Sequence, residues 1–304
     1  IFMIRKKILI ATGGTGGHIF PAYALANYLK AKNYDLQLTT DSRGYIYLKE
    51  HKDLNLIKIP SSPLEKKNLF KLFFSFFIIT FSIIRSFLFL INNRPLIIFG
   101  MGGYSSFPIC IAASILRIKF IIYENNLIIG KANKYLLPFA NKILVSYEEV
   151  EGIPEKYKNK VNQIGNIVRE EIIKTDQSIK TNKLDILKIL ILGGSQAAKV
   201  FAEKLPQIFE QLKNAKIPIK VYQQCQKGQN DKLIEFYQNY KVDYEIFNFT
   251  DKIIKYYLKS NLVITRSGAS VLGELINFKI PFICIPLPTS ADNHQYKNAK
   301  FTKK

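Results

Sequence analysis

The stretch KILIATGGTGGHIFPAYALANYLK, residues 7–30, decides the fold that we predict for this chain. Its first residues are mostly apolar, as in a buried strand, and a glycine-rich loop leads from them into a helical pattern. Glycine lets an anion approach the backbone closely, and the exposed N–H groups at a helix start attract negative charge. The stretch therefore predicts a strand, a phosphate-binding loop and a helix.

The same rhythm continues to the end of the chain. Strands that alternate with helices indicate βαβ units and a parallel sheet. We therefore predict an α/β fold with two Rossmann-like doubly wound domains, residues 1–164 and 165–304, which face each other across a cleft lined by strand ends. Further strand patterns lie at 36–40, 96–99, 119–123, 188–192, 219–222, 244–249, 262–265 and 281–286, and helical patterns at 107–116 and 197–213.

Composition limits the class of protein. The 304 residues, 48% of them hydrophobic, suffice for two cores, which excludes a single small binding module. The formal charge of +21 favours an anionic partner, but only seven of the 44 basic residues are arginines, so biased base composition is an alternative explanation. We expect no nucleic-acid partner. Three cysteines without C-x-x-C spacing indicate buried, reduced thiols in a cytosolic protein.

An unusually apolar stretch lies at 69–91, where Phe, Ile and Leu dominate. Lys71 and Arg85 bracket only 13 uncharged residues, fewer than the roughly 20 that span a bilayer. We predict an interfacial helix that contacts an anionic membrane surface, with a very apolar core helix as the alternative. The cations expected near lipid phosphates are Lys66, Lys67, Lys71, Arg85 and Arg94.

The first glycine loop does not identify its ligand. It lacks the Gly-Lys-Ser/Thr that closes a Walker loop, and it is not a clean G-x-G-x-x-G. Asp41 ends the second predicted strand, where the acidic residue of a dinucleotide-binding fold would lie. A nucleotide-dependent oxidoreductase therefore stays open at this point.

The second half adds groups suited to a diphosphate. Ser195 lies beside two glycines at a helix start, and Arg169 and Arg266 can each form a charge-assisted bond to phosphate. A third helix start is predicted between Arg266 and Ala269. Glu274, four residues after Ser270, suits the paired hydroxyls of a ribose or sugar, although an acid favoured by the dipole of a first helical turn is an equal alternative.

Several of these motifs occur together in one family. The sequence resembles the peptidoglycan N-acetylglucosaminyltransferases that convert lipid I to lipid II, which are GT-B glycosyltransferases. The matching stretches run in order along almost the whole chain: 13–18 with Pro21, 100–105, 124–126 with Asn133 and Lys134, 165–169, 193–196, 266–269 with Glu274, and Gln295 with Asn298 and Ala299. Any one of these loops is a weak signal, whereas seven in register are a strong one.

The resemblance implies inverting transfer of N-acetylglucosamine from UDP-N-acetylglucosamine to lipid I on the cytoplasmic face of the bacterial plasma membrane, without cofactor or metal. It implies a C-terminal donor domain, in which Glu274 holds the ribose and Gln295 the sugar hydroxyls, and an N-terminal acceptor domain. Donor contacts are expected at Thr15, Gly16, Gly17, Asn126, Arg169, Ser195, Thr250, Ala269, Ser270, Val271, Leu272, Gly273, Glu274 and Gln295. Acceptor contacts are expected at Gly13, Gly14, His18, Gly102, Gly103, Tyr104 and Ser105.

We expect His18 to be the catalytic base, since imidazole can take a proton near neutral pH. A capping or phosphate-binding histidine is the alternative. The sequence departs from the family pattern where Ile167 replaces a proline before Arg169, where Tyr123 replaces a histidine, and where Ala197 replaces a glycine. The family also continues beyond the position of Lys304, so we expect a truncated C-terminal domain. A non-catalytic, membrane-associated UDP-sugar-binding homologue is a further alternative.

Overall fold

The structure is a computed structural model. It describes residues 7–51, 53–63, 68–175, 185–248, 250 and 252–302, without the side chains at 195–198. The chain divides into two compact units, the first ending at Arg169 and the second beginning at Glu170. Each unit contains one sheet in which every described strand pair is parallel.

The sheet of the first unit has seven strands in the order β3-β2-β1-β4-β5-β6-β7. Apolar residues of β1 face both sides of this sheet: Leu9 belongs to one buried cluster and Ile10 to another. This burial on both faces explains why the strand sequence is a nearly continuous apolar run. The strands are β1 (Lys7–Ala11), β2 (Asp35–Thr40), β3 (Leu56–Lys58), β4 (Ile97–Gly100), β5 (Phe120–Glu124), β6 (Lys142–Val145) and β7 (Val161–Gln163).

The described residues of this unit form the α-helices α1 (Gly16–Ala31), α2 (Ser42–Leu48), α3 (Leu69–Asn92), α4 (Ser106–Ile115) and α5 (Lys131–Leu136). A 3-10 helix covers Glu155–Lys160. The two glycine-rich loops of this half connect β1 to α1 and β4 to α4. Because β1 and β4 are neighbours at the point where the strand order reverses, both loops lie where parallel sheets bind ligands.

The second unit repeats this plan with the strand order β10-β9-β8-β11-β12. Its strands are β8 (Leu187–Leu192), β9 (Ile219–Gln224), β10 (Asp243–Phe247), β11 (Leu262–Thr265) and β12 (Phe282–Cys284). Its helices are α6 (Glu170–Lys174), α7 (Gly194–Asn214), α8 (Asn230–Asn239), α9 (Ile254–Lys259), α10 (Ala269–Asn277) and α11 (His294–Thr302), with 3-10 turns at Lys227–Gln229 and Ala291–Asn293. The order reverses between β8 and β11, which precede the two candidate phosphate loops of this half.

These two parallel sheets confirm the predicted α/β class. Some predicted elements differ in extent: the strand expected at 281–286 is only Phe282–Cys284, and Pro281 and Pro286, at the ends of the predicted range, lack the N–H that ladder pairing needs. Cys110 and Cys225 are buried free thiols, as expected, whereas Cys284 is only half-buried.

The apolar stretch forms the 24-residue helix α3, which is long and apolar enough to cross a membrane by length and composition. Its buried positions include small serines, Ser75, Ser82 and Ser86, and this helix packs beside α4. The phenylalanines between Phe70 and Phe81 face outward, with Phe73 78% and Phe77 65% exposed. The alternative of an apolar core helix is therefore wrong, because a core helix would bury its large side chains.

Candidate active site

The two glycine loops of the first unit touch at the carboxyl edge of the sheet. A side chain at Gly13 would place its Cβ 2.1 Å from the Oγ of Ser105. Any residue other than glycine would therefore push the loops apart. Gly14 follows with φ of +82°, a left-handed conformation that favours glycine. The predicted acceptor contacts Gly13 and Ser105 thus lie against each other across the two loops. Tyr104, in the second loop, is half-buried.

His18, in the first turn of α1, is fixed by the second loop. Its Nδ1 lies 3.0 Å from the carbonyl oxygen of Met101. Because a carbonyl can only accept, Nδ1 carries the hydrogen, and a neutral ring then has its basic lone pair on Nε2. The side chain is half-buried. This arrangement is suited to a general base that takes a proton at Nε2.

The ring of His18 packs directly on two glycines. A Cβ at Gly102 would lie 2.9 Å from both Cε1 and Nδ1, and one at Gly103 would lie 3.3 Å from Cδ2. Both glycines have positive φ, +85° and +76°. The glycines of the second loop therefore leave room for the His18 ring, in addition to letting an anion approach the backbone.

Asp41 is fully engaged with protein groups. Its Oδ1 accepts from the backbone N–H of Gly14 at 3.0 Å and of Gly44 at 2.8 Å. Its Oδ2 accepts from Arg43 at 2.7 Å and from the hydroxyl of Ser61 at 3.1 Å. Burial alone would raise the pKa of Asp41, but these N–H donors and the Arg43 guanidinium hold it below its usual value. Asp41 braces the first glycine loop, so its predicted role as a dinucleotide-binding acid is not supported.

A buried carboxylate organises the loop after β5. Glu124 is 2% exposed, and it accepts four hydrogen bonds within this loop and the following helix. One oxygen takes the backbone N–H (3.1 Å) and the side-chain amide (3.0 Å) of Asn126, and the other takes Gly130 N (2.8 Å) and Asn133 Nδ2 (3.0 Å). The candidate donor contact Asn126 is therefore held rigidly by a residue that is itself shielded from solvent.

Asn125 ties this loop to the start of α1. Its side-chain amide donates to the carbonyl of Gly17 at 2.8 Å. In a regular helix this carbonyl would accept from the residue four positions later, but that residue is Pro21, which has no N–H. The proline in the opening stretch thus leaves an acceptor that the β5 loop uses. The predicted contacts Thr15, Gly16 and Gly17 lie in the same turn, with Thr15 exposed at the N-cap.

Arg169, predicted to bind the donor diphosphate, is the last residue of the first compact unit. Its guanidinium lies 5.6 Å from the centroid of the Phe20 ring, on α1. Attraction between this cation and the aromatic ring limits the orientations of the long side chain.

Arg266 is a buried residue that connects two loops of the second unit. It is 8% exposed, and its Nη1 donates to the carbonyl oxygens of Ile285 and Pro286, each at 3.0 Å. The guanidinium lies 4.8 Å from the ring centroid of Phe201, and burial lowers the pKa of Arg266. These contacts fix the segment after β12 to the loop after β11, so a structural role now stands beside the predicted phosphate contact.

Glu274 lies in the second turn of α10. The alternative of a first-turn acid is wrong, because the helix begins five residues earlier at Ala269. The carboxylate is 7% exposed, and its Oε2 accepts from the hydroxyl of Tyr257 at 2.9 Å. The other predicted donor contacts of this helix, Ala269, Ser270, Val271, Leu272 and Gly273, occupy its first turns, at the carboxyl end of β11.

Gln295 is oriented at the start of α11. Its Oε1 accepts from the backbone N–H of Leu287 at 2.9 Å, which fixes the orientation of the amide. Three residues later, the buried Asn298 donates from Nδ2 to the carbonyl of Ser267 at 3.2 Å. These bonds join α11 to the loops that follow β11 and β12.

Two predicted donor contacts are placed less fully. The side chain of Ser195 lies outside the described residues, although the helix that contains it begins at Gly194 with φ of +63°. The hydroxyl of Thr250 accepts from the N–H of Lys252 at 3.0 Å. Its neighbours at 249 and 251 also lie outside the description.

Comparisons with known proteins place this chain in a family. The pattern of the glycosyltransferase family 28 N-terminal domain matches residues 8–145, and that of the family 28 C-terminal domain matches residues 188–304. The chain belongs to glycosyltransferase family 28. Both halves of the family pattern are thus present and in order.

Two relatives of this family 28 chain carry the name UDP-N-acetylglucosamine--N-acetylmuramyl-(pentapeptide) pyrophosphoryl-undecaprenol N-acetylglucosamine transferase. The protein from Pelagibacter ubique is 37% identical over 302 residues, which cover 99% of this chain and 83% of the relative. The protein from Rickettsia felis is 38% identical over 303 residues, covering 97% and 83%. The crystal structure of Acinetobacter baumannii MurG is similar with a TM-score of 0.73 at 25% identity, covering 97% of this chain and 82% of that one.

Sequence reasoning missed several residues that shape this family 28 site. Ser61 contacts both Asp41 and Ser105, with Oγ–Oγ 3.1 Å for the latter, yet it lies in an irregular stretch with no motif. Arg43 and Asn125 were also overlooked as positioning groups. Asn125 could have been found, because a proline within the first turns of a helix leaves an acceptor for an outside donor.

Proposed function

We propose that this chain transfers N-acetylglucosamine from UDP-N-acetylglucosamine to the muramyl sugar of undecaprenyl-diphosphate-linked lipid I, giving lipid II. The observation that carries the proposal is the position of His18, whose basic Nε2 is presented where two glycine loops meet in a family 28 chain. The names of its relatives support the same donor and acceptor.

In the proposed reaction, a hydroxyl of the muramyl sugar attacks the anomeric carbon of the donor sugar in a single displacement. The new bond joins this hydroxyl oxygen to the anomeric carbon, and the bond from that carbon to the UDP oxygen breaks with inversion. His18 Nε2 takes the hydroxyl proton, while Met101 holds the opposite side of the ring. UDP leaves with the bonding electron pair.

Groups of the second unit bind the donor. Glu274, held by Tyr257, accepts from the ribose hydroxyls, and the amide of Gln295 contacts the sugar hydroxyls. The N-terminal ends of α7 and α10 present backbone N–H groups, which stabilise the negative charge that develops on the leaving diphosphate. Arg169 adds a positive charge to the same task.

Groups of the first unit bind the acceptor. Gly13, Gly14 and residues 102–105 lie in the loops that lead into α1 and α4, where the helix starts favour negative charge and the glycines let the acceptor diphosphate approach the backbone closely. We assign residues 1–164 to acceptor and membrane binding and 165–304 to donor binding. Arg169 falls in the range that we assign to donor binding, although it belongs to the first compact unit.

The chain also binds the cytoplasmic face of the plasma membrane as a peripheral protein. Support comes from α3, which buries its serines and exposes the phenylalanines of its first half. Because one face of α3 packs against the domain, we favour a helix that lies in the interface over one that spans the bilayer. Lys71 and Arg85 lie on this helix, near anionic headgroups. Arg94 donates to the carbonyl of Leu116 at 3.1 Å, and Lys66 and Lys67 lie outside the described residues.

Transfer of labelled N-acetylglucosamine to a short-chain lipid I analogue tests this function. The assay uses the 304-residue chain and a second chain with whatever residues its gene encodes after Lys304. We expect a labelled lipid-linked disaccharide and release of UDP. Binding of UDP-N-acetylglucosamine with no lipid-linked product from either chain would instead indicate the non-catalytic homologue.

A further inference from the structure

The hydroxyl of Tyr123 holds the last segment of the first unit. Tyr123 is 3% exposed at the end of β5. Its Oη lies 3.0 Å from the backbone nitrogen of Ile167, 3.3 Å from the carbonyl oxygen of Gly165, and 2.8 Å from the Oγ of Ser146. One side chain thus contacts two backbone groups, more than 40 residues away, just before Arg169.

These three contacts use the full hydrogen-bonding capacity of a phenol. The carbonyl of Gly165 only accepts and the N–H of Ile167 only donates, so the hydroxyl donates to the first and accepts from the second. Its remaining lone pair then accepts from the hydroxyl of Ser146. Burial raises the pKa of Tyr123 to about 12, so this hydroxyl keeps its proton at neutral pH.

The segment held by Tyr123 has little other support from regular structure. In the described part of the chain, the residues from Gly165 to Arg169 belong to neither a helix nor a strand, and Gly165 has φ of +77°. The side chain of Ile167 packs against the core of the first unit. Two residues later, the guanidinium of Arg169 lies over Phe20.

We infer that Tyr123 is a positioning residue for Arg169. By fixing the backbone of Gly165 and Ile167, its hydroxyl sets where the guanidinium meets the donor diphosphate. The inference rests on the proposed function for the role of Arg169. It also links two departures from the family pattern, because a proline at position 167 would have no N–H to give to Tyr123.

Tyr123→Phe removes the hydroxyl and keeps the ring. A buried hydrogen bond between neutral groups corresponds to about a 3- to 10-fold change in an equilibrium constant, and we expect the KM and Kd for UDP-N-acetylglucosamine to rise by that factor. The KM for the lipid I analogue should stay within about twofold. In an Arg169→Ala background, the same substitution should produce no further rise, because the hydroxyl acts through that arginine.

Tyr237→Phe is the matched control, since Tyr237 is another buried tyrosine whose hydroxyl bonds a side chain, Gln223. It should lower the thermal unfolding temperature without changing donor affinity. Ser146→Ala, a milder change that removes one partner of the hydroxyl, should shift donor affinity in the same direction as Tyr123→Phe and by less.

Unchanged donor Kd in Tyr123→Phe, or effects of the two substitutions that simply multiply, would overturn the inference. A shift of the same size in the Tyr237 control would also overturn it. Calorimetric titration with UDP-N-acetylglucosamine measures the donor Kd of each variant and requires no turnover. An inactive wild type would therefore reject the proposed transfer and leave the test of Tyr123 intact.

Discussion

The Nδ1 atom of His18 lies 3.0 Å from the carbonyl oxygen of Met101, 83 residues further along the chain. This bond joins the first turn of α1 to the first residue after β4, and it leaves Nε2 as the basic atom of the neutral ring. The position of the candidate base is therefore set by the second glycine loop.

His18→Ala should reduce kcat with the lipid I analogue by about 100- to 10,000-fold, the usual contribution of a general base. The change should leave the Kd for UDP-N-acetylglucosamine nearly unaltered. His51→Ala is the control, because the ring of His51 packs against that of Tyr23, with centroids 4.3 Å apart, and has no proposed role in transfer. Near-normal turnover in His18→Ala would remove this residue from the role of base.

Gly102→Ala should reduce turnover because the new methyl group meets the ring of His18. Its Cβ would lie 2.9 Å from Cε1, and the backbone has φ of +85°. We expect a loss of at least about 1 kcal/mol in the free energy of unfolding, measured by denaturant titration, together with a lower kcat. Gly228→Ala is the matched control, with open space around its Cβ and no positive φ. Equal effects of the two substitutions would contradict a specific role for Gly102.

Asp41→Asn should lower the free energy of unfolding at pH 7 by about 1–3 kcal/mol, since the amide serves the buried donors of Gly14 and Gly44 less well. The folded-state pKa of Asp41 is lowered, so the carboxylate stabilises the fold fully above its unfolded pKa. That stability is lost as the pH falls from about 4 through the folded pKa. Urea unfolding at several pH values should show the gap between wild type and variant narrowing below pH ~4. If the stability difference between wild type and variant instead widened below that pH, the pKa of Asp41 would be raised in the folded state and not lowered.

Replacing Phe73 and Phe77 by serine should weaken binding to anionic vesicles by more than about 100-fold, because each buried phenyl ring contributes roughly 1.5–3 kcal/mol. Vesicle sedimentation at low and high salt measures this. Ile46→Ser, on α2, is the control, since Ile46 is as exposed as Phe77, at 65%. Unchanged sedimentation of the double variant would exclude this face of α3 as the membrane contact.

Transfer should continue in the presence of EDTA, within about twofold of the untreated rate, because helix starts and Arg169 are assigned the charge of the leaving diphosphate. Among the described residues, no group of three or more His, Cys, Asp and Glu side chains is arranged to hold a metal ion. Loss of activity in EDTA that returns with added magnesium would show that this assignment is incomplete.

Much of the fold could be predicted because its signals are local. The apolar run of β1, the glycines after it and the helical pattern of α1 lie within one stretch, and the structure confirms all three. The range predicted for the strand at 281–286 is too long, since apolar composition alone does not show where ladder pairing stops. Dinucleotide binding by Asp41 is not supported either, because local sequence does not show that the carboxylate is already occupied. Its five hydrogen-bond donors come from the first glycine loop, α2 and Ser61.

The sequence by itself determined the α/β class and the two sets of glycine loops, because periodicity and glycine conformational freedom depend on neighbouring residues. Only the tertiary structure decided which groups meet. Parallel pairing of β1 with β4 brings Gly13 against Ser105 and His18 against Met101. Each of these contacts joins residues more than 80 positions apart, and it exists because the sheet aligns strand ends that the chain separates.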